Sequence, residues 1–350
     1  MKLRDDLDDL EGYHSPQVDV AVRLNTNESP YPPPDAWREA LLEELRSLPF
    51  NRYPDRAAAE LRRAIADLHG VGPENVVAAN GSNEVIQALG LAFGGPGRAA
   101  AMFRPTYLMH SHIARITGTR VVEGERDAAF QLELGEVKRV VAEARPALTF
   151  LCSPNNPTGC MEPQDVLDEV LEMPAGIVVV DEAYGQFSPR SALELVDDDR
   201  PLVVIRTFSK TWSMAAARLG YLVGPADVVR ALEAVLLPYH LDAMKQVAGR
   251  LALRFQTEME ARVATIVEER GRLAAGLGEL AVDTWPSGAN FILFRPRVKD
   301  GDAVWEELLA RSVLVRNCSG WPRLEGCLRV TVGTAAENDM FLSALGEVLA

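Results

Sequence analysis

Short apolar runs alternate with helix-patterned stretches through the middle of this chain, and that alternation restricts its fold more than any other feature. The runs cover residues 75–79, 99–103, 120–123, 147–152, 177–180, 202–205 and 219–223. They lack strict polar/apolar alternation, as expected for strands covered on both faces. An α/β fold with a mostly parallel sheet follows. What stands after each run points to function. Asn80-Gly81-Ser82-Asn83 follows the first, Arg104-Pro105-Thr106-Tyr107 the second, Asn155-Asn156-Pro157 the fourth, Asp181 the fifth, and Thr207, Ser209 and Lys210 the sixth. In open α/β sheets ligands bind at the carboxyl ends of the strands.

The rest of the chain frames this sheet. Pro30 and Pro32-Pro33-Pro34 make a stiff extended connector, because proline restricts itself and the residue before it. Helical patterns run over 35–48 and over 57–69, the second ending at Gly70 as a C-cap. One long helix is expected over about 232–277, leading into a small α+β unit. That unit has strands at 290–294, 313–316 and 327–332, a helix over 302–311 and a closing helix from Glu337, and is completed by the N-terminal arm. The expected organisation is an arm (1–34), a large domain (35–255) and a small domain (256–350).

The chain's 350 residues suffice for both units. A net charge of −14 argues against a nucleic-acid partner, so any anionic ligand must be held by local arginines or backbone N–H groups. No apolar stretch reads as a membrane span, and the acidic N-terminus lacks the apolar core of a signal peptide. A cytoplasmic location is expected. Cys152, Cys160, Cys318 and Cys327 form no C-x-x-C pair and are expected as reduced thiols. Of five histidines only His110 and His112 are close, with no carboxylate at metal spacing, so no metal site is expected.

Lys210 is the candidate catalytic group: an amine able to condense with an aldehyde and then shuttle a proton. Thr207, Ser209 and Arg218 supply hydroxyls and a forked cation for a phosphate. Gly81, Ser82 and Asn83 open a helix whose free N–H groups suit the same phosphate, although Ser82 or Asn83 also reads as a plain N-cap. Asp181 ends an apolar strand. It would keep a pyridine nitrogen protonated, or simply cap the next segment. Tyr184 and Asn156 are placed to reach a phenolic oxygen, and Tyr107 to stack on a ring or pack as a buried aromatic. Arg329, and similarly Arg316, lies among core-strand residues and needs an anionic partner, either a substrate or a structural carboxylate.

Together these residues resemble the fold-type I pyridoxal 5′-phosphate (PLP) enzymes of the class I/II aminotransferase superfamily. The resemblance covers nearly the whole chain. It implies a large domain with a mostly parallel mixed sheet sandwiched by helices, plus a small α+β domain. The superfamily marks are Asn155-Asn156-Pro157-Thr158-Gly159, Asp181-Glu182-Ala183-Tyr184 and Ser209-Lys210 with Arg218. The arm motif Leu24-Asn25-Thr26-Asn27-Glu28-Ser29-Pro30-Tyr31 and the segments around Arg316 and Arg329 are similar to the histidinol-phosphate aminotransferase family. That likeness implies transamination between L-histidinol phosphate and 2-oxoglutarate, with L-glutamate as donor in the biosynthetic direction. It also implies a homodimer with shared active sites, in which Tyr53 reaches the PLP phosphate of the other subunit. Tyr13 and Asn25 would contribute to the substrate site, and Arg316 and Arg329 would grip the substrate anion. An aromatic amino-acid aminotransferase of the same fold is the alternative. Ser29 departs from the family's usual second Asn in the arm.

Overall fold

The computed structural model describes Leu7, Gly12 and residues 16–350. Two sheets organise these residues. The larger has seven strands in the order β2-β8-β7-β6-β5-β3-β4: β2 (Val76–Ala79), β3 (Ala99–Arg104), β4 (Arg120–Glu125), β5 (Leu148–Cys152), β6 (Ile177–Asp181), β7 (Leu202–Thr207) and β8 (Gly220–Val223). The five from β7 to β4 are parallel. Strand β8 is antiparallel to both β7 and β2, so β2 runs with the parallel set. Its carboxyl end therefore lies on the same edge as theirs.

Both faces of this sheet are covered, which is why its strands read as unbroken apolar runs. Ala100, Met102, Leu148, Phe150, Val179, Val203 and Ile205 pack with Val85, Ile86 and Leu89 of α3 (Ser82–Phe93) and with Val228, Val229 and Leu232 of α7 (Ala226–Val235). Their sequence neighbours Ala99, Ala101, Phe103, Leu151, Val178, Val180 and Val204 pack on the other side. There they meet α5 (Leu134–Ala144) and α6 (Gln164–Leu171). Each such fully buried Val or Leu is worth roughly 1.5–3 kcal/mol relative to exposure. The core thus forces the strands into the layer, and the strand ends inherit fixed positions.

The second sheet has five strands in the order β1-β11-β12-β10-β9. Strand β1 (Val22–Leu24) comes from the N-terminal arm and pairs in parallel with β11 (Val313–Asn317). The others, β9 (Val282–Thr284), β10 (Phe291–Pro296) and β12 (Leu328–Thr331), are antiparallel neighbours. Helix α10 (Gly301–Ala310) begins where the Asp300 carboxylate accepts from the N–H groups of Asp302 and Ala303. Helix α11 (Ala335–Leu349) begins with a reciprocal capping box of Thr334 and Glu337.

One expectation is corrected. The single long helix over about 232–277 is three: α7, α8 (Ala243–Ala252) and α9 (Gln256–Gly278). Pro238 lacks the N–H a helix needs, and Tyr239 sits at φ +59°. Asp242 then starts a new helix by accepting from the Lys245 N–H, and a short 3-10 turn over Leu253–Phe255 separates α8 from α9. Helical composition carries no record of these interruptions. Helix α2 (Ala59–His69) ends as expected at Gly70, in the left-handed region.

Candidate active site

A cavity of about 360 Å³ opens where the carboxyl edge of the large sheet meets the arm and the small sheet. Lys210 follows β7 and is partly buried in its wall. Its Nζ donates to the Thr26 carbonyl at 3.0 Å and lies 5.8 Å from the centroid of the Tyr184 ring. Burial lowers its pKa to about 7, and the nearby charge of Arg329 adds to the effect. Glu28 opposes the shift and Arg218 reinforces it. An amine so placed is substantially neutral near neutral pH, and hence nucleophilic and basic.

One end of the cavity gathers groups that could hold an anion. Helix α3 begins at Ser82 and directs its unpaired N–H groups there. Thr207 donates its hydroxyl to Ser209 Oγ at 3.0 Å, and Arg218 donates to the same Ser209 oxygen at 3.2 Å. Two residues must be glycine for this to assemble. Gly81 adopts φ +81°, and a Cβ there would stand 2.8 Å from an Arg218 nitrogen. A Cβ on Gly220 would stand 2.5 Å from the Ser82 nitrogen.

At the floor, Asp181 ends β6 almost fully buried. Its Oδ1 accepts from the Ala183 N–H at 3.0 Å and its Oδ2 pairs with His110 Nε2 at 2.9 Å. The His110 ring stacks on Phe150 with centroids 4.8 Å apart and meets Tyr107 edge-on at 5.4 Å. Tyr107 lines the cavity and donates its hydroxyl to Asn83 Oδ1 at 3.1 Å.

The opposite wall carries Tyr184, Asn156 and Arg329. Asn27 Nδ2 donates to the Tyr184 hydroxyl oxygen at 2.9 Å. Burial pushes that phenol up to about 12, against the pull of Arg329 and this hydrogen bond. Arg329 donates to Asn156 Oδ1 and, at 3.0 Å, to the Asn25 carbonyl. It also lies over the Phe291 ring, 5.0 Å from its centroid. The Arg329 Nε is buried with no partner, which leaves a donor for an incoming anion.

The remaining expected residues are placed less directly. Asn25 supplies Arg329 with its carbonyl rather than its side chain, whose Nδ2 donates to the Pro16 carbonyl at 3.1 Å. Arg316 stands opposite Arg329 across the β11–β12 pair, so both lie on one face of the sheet. Trp321, not Arg316, lines the cavity, and the Arg316 guanidinium lies 5.2 Å from the Trp321 ring centroid. Tyr53 does not line the cavity. It is 81% exposed and stacks on Tyr239, centroids 4.6 Å apart. Tyr13 lies outside the described residues. Sequence reasoning missed His110, weighed only as a metal ligand although it follows Tyr107 at helical i+3 spacing. It also missed the side chains of Asn27 and Glu28, which the arm motif contains, and Trp321, for which no sequence signal existed. All four cysteines are buried and unpaired. Among the described residues no three of His, Cys, Asp and Glu group to hold a metal ion, and no helix is long and apolar enough to cross a membrane.

The model of the family "Aminotransferase class I and II" matches residues 19–345. The chain belongs to that family. Within it, this aminotransferase falls among proteins named histidinol-phosphate aminotransferase. It is 42% identical to the one from Corynebacterium efficiens, over 99% of this chain and 95% of that protein. It is 44% identical to the one from Frankia casuarinae, over 100% of this chain and 90% of that protein. The fold superimposes on histidinol-phosphate aminotransferase from Sinorhizobium meliloti in complex with pyridoxal-5′-phosphate, with a TM-score of 0.86 and 23% identity over 94% of this chain and 91% of that one. The family cofactor is PLP, and the residues present fit it. The cradle that Gly81 leaves open offers hydroxyl, guanidinium and N–H donors to a phosphate. Asp181 offers a buried carboxylate to a ring nitrogen, and Lys210 offers an aldehyde an amine that burial makes easier to deprotonate.

Proposed function

We propose that this aminotransferase moves an amino group from L-glutamate to imidazole-acetol phosphate, giving 2-oxoglutarate and L-histidinol phosphate for histidine biosynthesis. The observation that carries this reading is one cavity holding a near-neutral Lys210 amine beside Arg329, whose buried Nε has no protein partner. The names of the curated relatives support the substrate. When bound, PLP supplies an electron sink next to the substrate Cα.

The chain's own residues do the rest. Ser209, Thr207, Arg218 and the start of α3 hold the cofactor phosphate. Asp181, its orientation set by His110 and the Ala183 N–H, keeps the pyridine nitrogen protonated. Tyr184 and Asn156 would hold the ring's phenolic oxygen, and Tyr107 would pack against the ring. Arg329 binds the substrate anion with charge-assisted hydrogen bonds, and Arg316 from the same sheet face reinforces the positive field for a dianionic phosphate. Lys210 would serve as the base that moves a proton at the substrate Cα. Burial serves that step, because a base with a pKa near the working pH transfers protons well.

The reading includes a cytoplasmic homodimer with shared sites. The exposed Tyr53–Tyr239 stack, with Phe50 and Leu237 also exposed, supports a second copy covering this face. Tyr53 would then reach the partner's cofactor phosphate, and the arm's Tyr13 would close over substrate. The division into arm (1–34), large domain (35–255) and small domain (256–350) belongs to the same reading. The test is the ratio of kcat/KM for L-histidinol phosphate, phenylalanine and phosphothreonine, each with 2-oxoglutarate. Histidinol phosphate should lead by at least an order of magnitude. A lead for phenylalanine would move the enzyme to the aromatic aminotransferases.

A further inference from the structure

Glu28 is the one charged group in the cavity that the proposed chemistry leaves without a task. Among the described residues lining the cavity, carboxylates come only from Glu28 and Asp181. Asp181 is committed to His110 and to the Ala183 N–H. The cations divide cleanly. Arg218 belongs to the cofactor phosphate, Arg329 to the substrate anion, and Lys210 to the reacting amine. Glu28 is thus a carboxylate at the cavity wall with capacity to accept from a donor on the substrate.

Its position is fixed by the neighbouring residue. Asn27 sits in the left-handed region at φ +54°. Its N–H donates to Thr331 Oγ1 at 3.0 Å, its carbonyl accepts from Asn290 Nδ2 at 3.2 Å, and its side chain donates to the Tyr184 hydroxyl and accepts from Thr331 Oγ1. Thr26, on the other side, holds Lys210 through its carbonyl. The arm is therefore pinned across the cavity mouth, and Glu28 hangs from the pinned segment into it. Its protein partner is Arg23, at 3.1 Å. Both side chains are about half exposed, 56% for Arg23 and 43% for Glu28, so the pair is weak and easily rearranged.

We propose that Glu28 is the specificity-determining residue for the imidazole end of the substrate, its carboxylate accepting the imidazole N–H. The inference rests on the histidinol phosphate reading and assigns the end of the molecule that Arg329 does not hold. Glutamate places a carboxylate, not a donor, at that end. It meets the Glu28 carboxylate unfavourably. Glu28 therefore favours one substrate and opposes the other, which a structural role would not do.

The experiment compares Glu28→Gln with the parent holoenzyme on three amino donors: L-histidinol phosphate, L-phenylalaninol phosphate and L-glutamate. Phenylalaninol phosphate keeps the amine and the phosphate but has no ring N–H. Each pair is measured as KM and kcat, and independently as the apparent dissociation constant from an absorbance titration of the bound cofactor. For histidinol phosphate both constants should rise about tenfold, the size of one charge-assisted hydrogen bond at a half-exposed site, with the loss in KM rather than in kcat. For phenylalaninol phosphate they should hold steady, and for glutamate they should fall. Glu28→Asp, which keeps the carboxylate, should retain the preference for histidinol phosphate over phenylalaninol phosphate. Equal losses on the two phosphates, or no loss on either, would overturn the assignment. A parent enzyme that turns over glutamate and phenylalanine but not histidinol phosphate would overturn the substrate reading itself, and this inference with it.

Discussion

Replacing Lys210 with methionine should stabilise the cofactor-free protein, although it abolishes transamination. The Lys210 pKa falls from 10.5 to about 7, a difference of 3.5 units at about 1.4 kcal/mol each. The charged amine thus carries a folding penalty of roughly 4–5 kcal/mol, an upper bound on the effect. Methionine has similar length and no charge to desolvate, but it forfeits the bond to the Thr26 carbonyl, worth about 1 kcal/mol. A net gain of at most about 3–4 kcal/mol at pH 7 or below is expected. Below about 7 both states hold the proton and the folded state bears the whole penalty. Between 7 and 10.5 the unfolded chain binds more protons, so stability rises with pH until the penalty is gone. The difference between parent and variant should therefore be largest near neutrality and below, and should shrink towards pH 10. Urea unfolding of both cofactor-free proteins across that range reads it directly. A methionine variant less stable than the parent at pH 7, or a difference that does not change with pH, would refute the view that Lys210 is held neutral by burial.

The rate at which cofactor-free protein takes up PLP should rise with pH and level off above about 7, where the amine is mostly neutral. A rate still climbing towards pH 10 would indicate an ordinary lysine. Gly81→Ala must adopt φ +81° and press on Arg218, a strain of about 1–2 kcal/mol. PLP retention should weaken about tenfold, and an unchanged dissociation constant would remove Gly81 from the cradle. His110→Leu strips the Asp181 carboxylate of its ring donor, and about 2 kcal/mol of stability should go with it. A denaturation midpoint equal to the parent's would show that Asp181 does not depend on the ring.

The sequence made the large sheet legible because burial on both faces leaves continuous apolar runs such as Val178-Val179-Val180, and because polar residues accumulate where those runs stop. Lys210, Asp181, Asn156 and Tyr184 were readable as cavity residues for that reason, since each stands at or soon after a strand end, whereas Arg218 precedes β8. The small sheet was harder. Strands β1 and β9 have three residues each, too few to display a period, and they exist through pairing with β11 and β10. The helical stretch after residue 232 hid its breaks, because a left-handed Tyr239 and an Asp242 cap are tertiary choices that composition does not record. In the site, what escaped was contact. Nothing in the sequence places His110 beside Asp181, 71 positions away, or sets Trp321 between Arg316 and the cavity.

The most direct test of the account is an absorbance titration of the purified, PLP-loaded protein with L-histidinol phosphate and no keto acid present. The cofactor band near the edge of the visible should convert to that of the amine form of the cofactor, and 2-oxoglutarate should restore it. A band that persists in histidinol phosphate yet bleaches with phenylalanine would contradict the substrate, and a protein that binds PLP without any such band would contradict the role of Lys210.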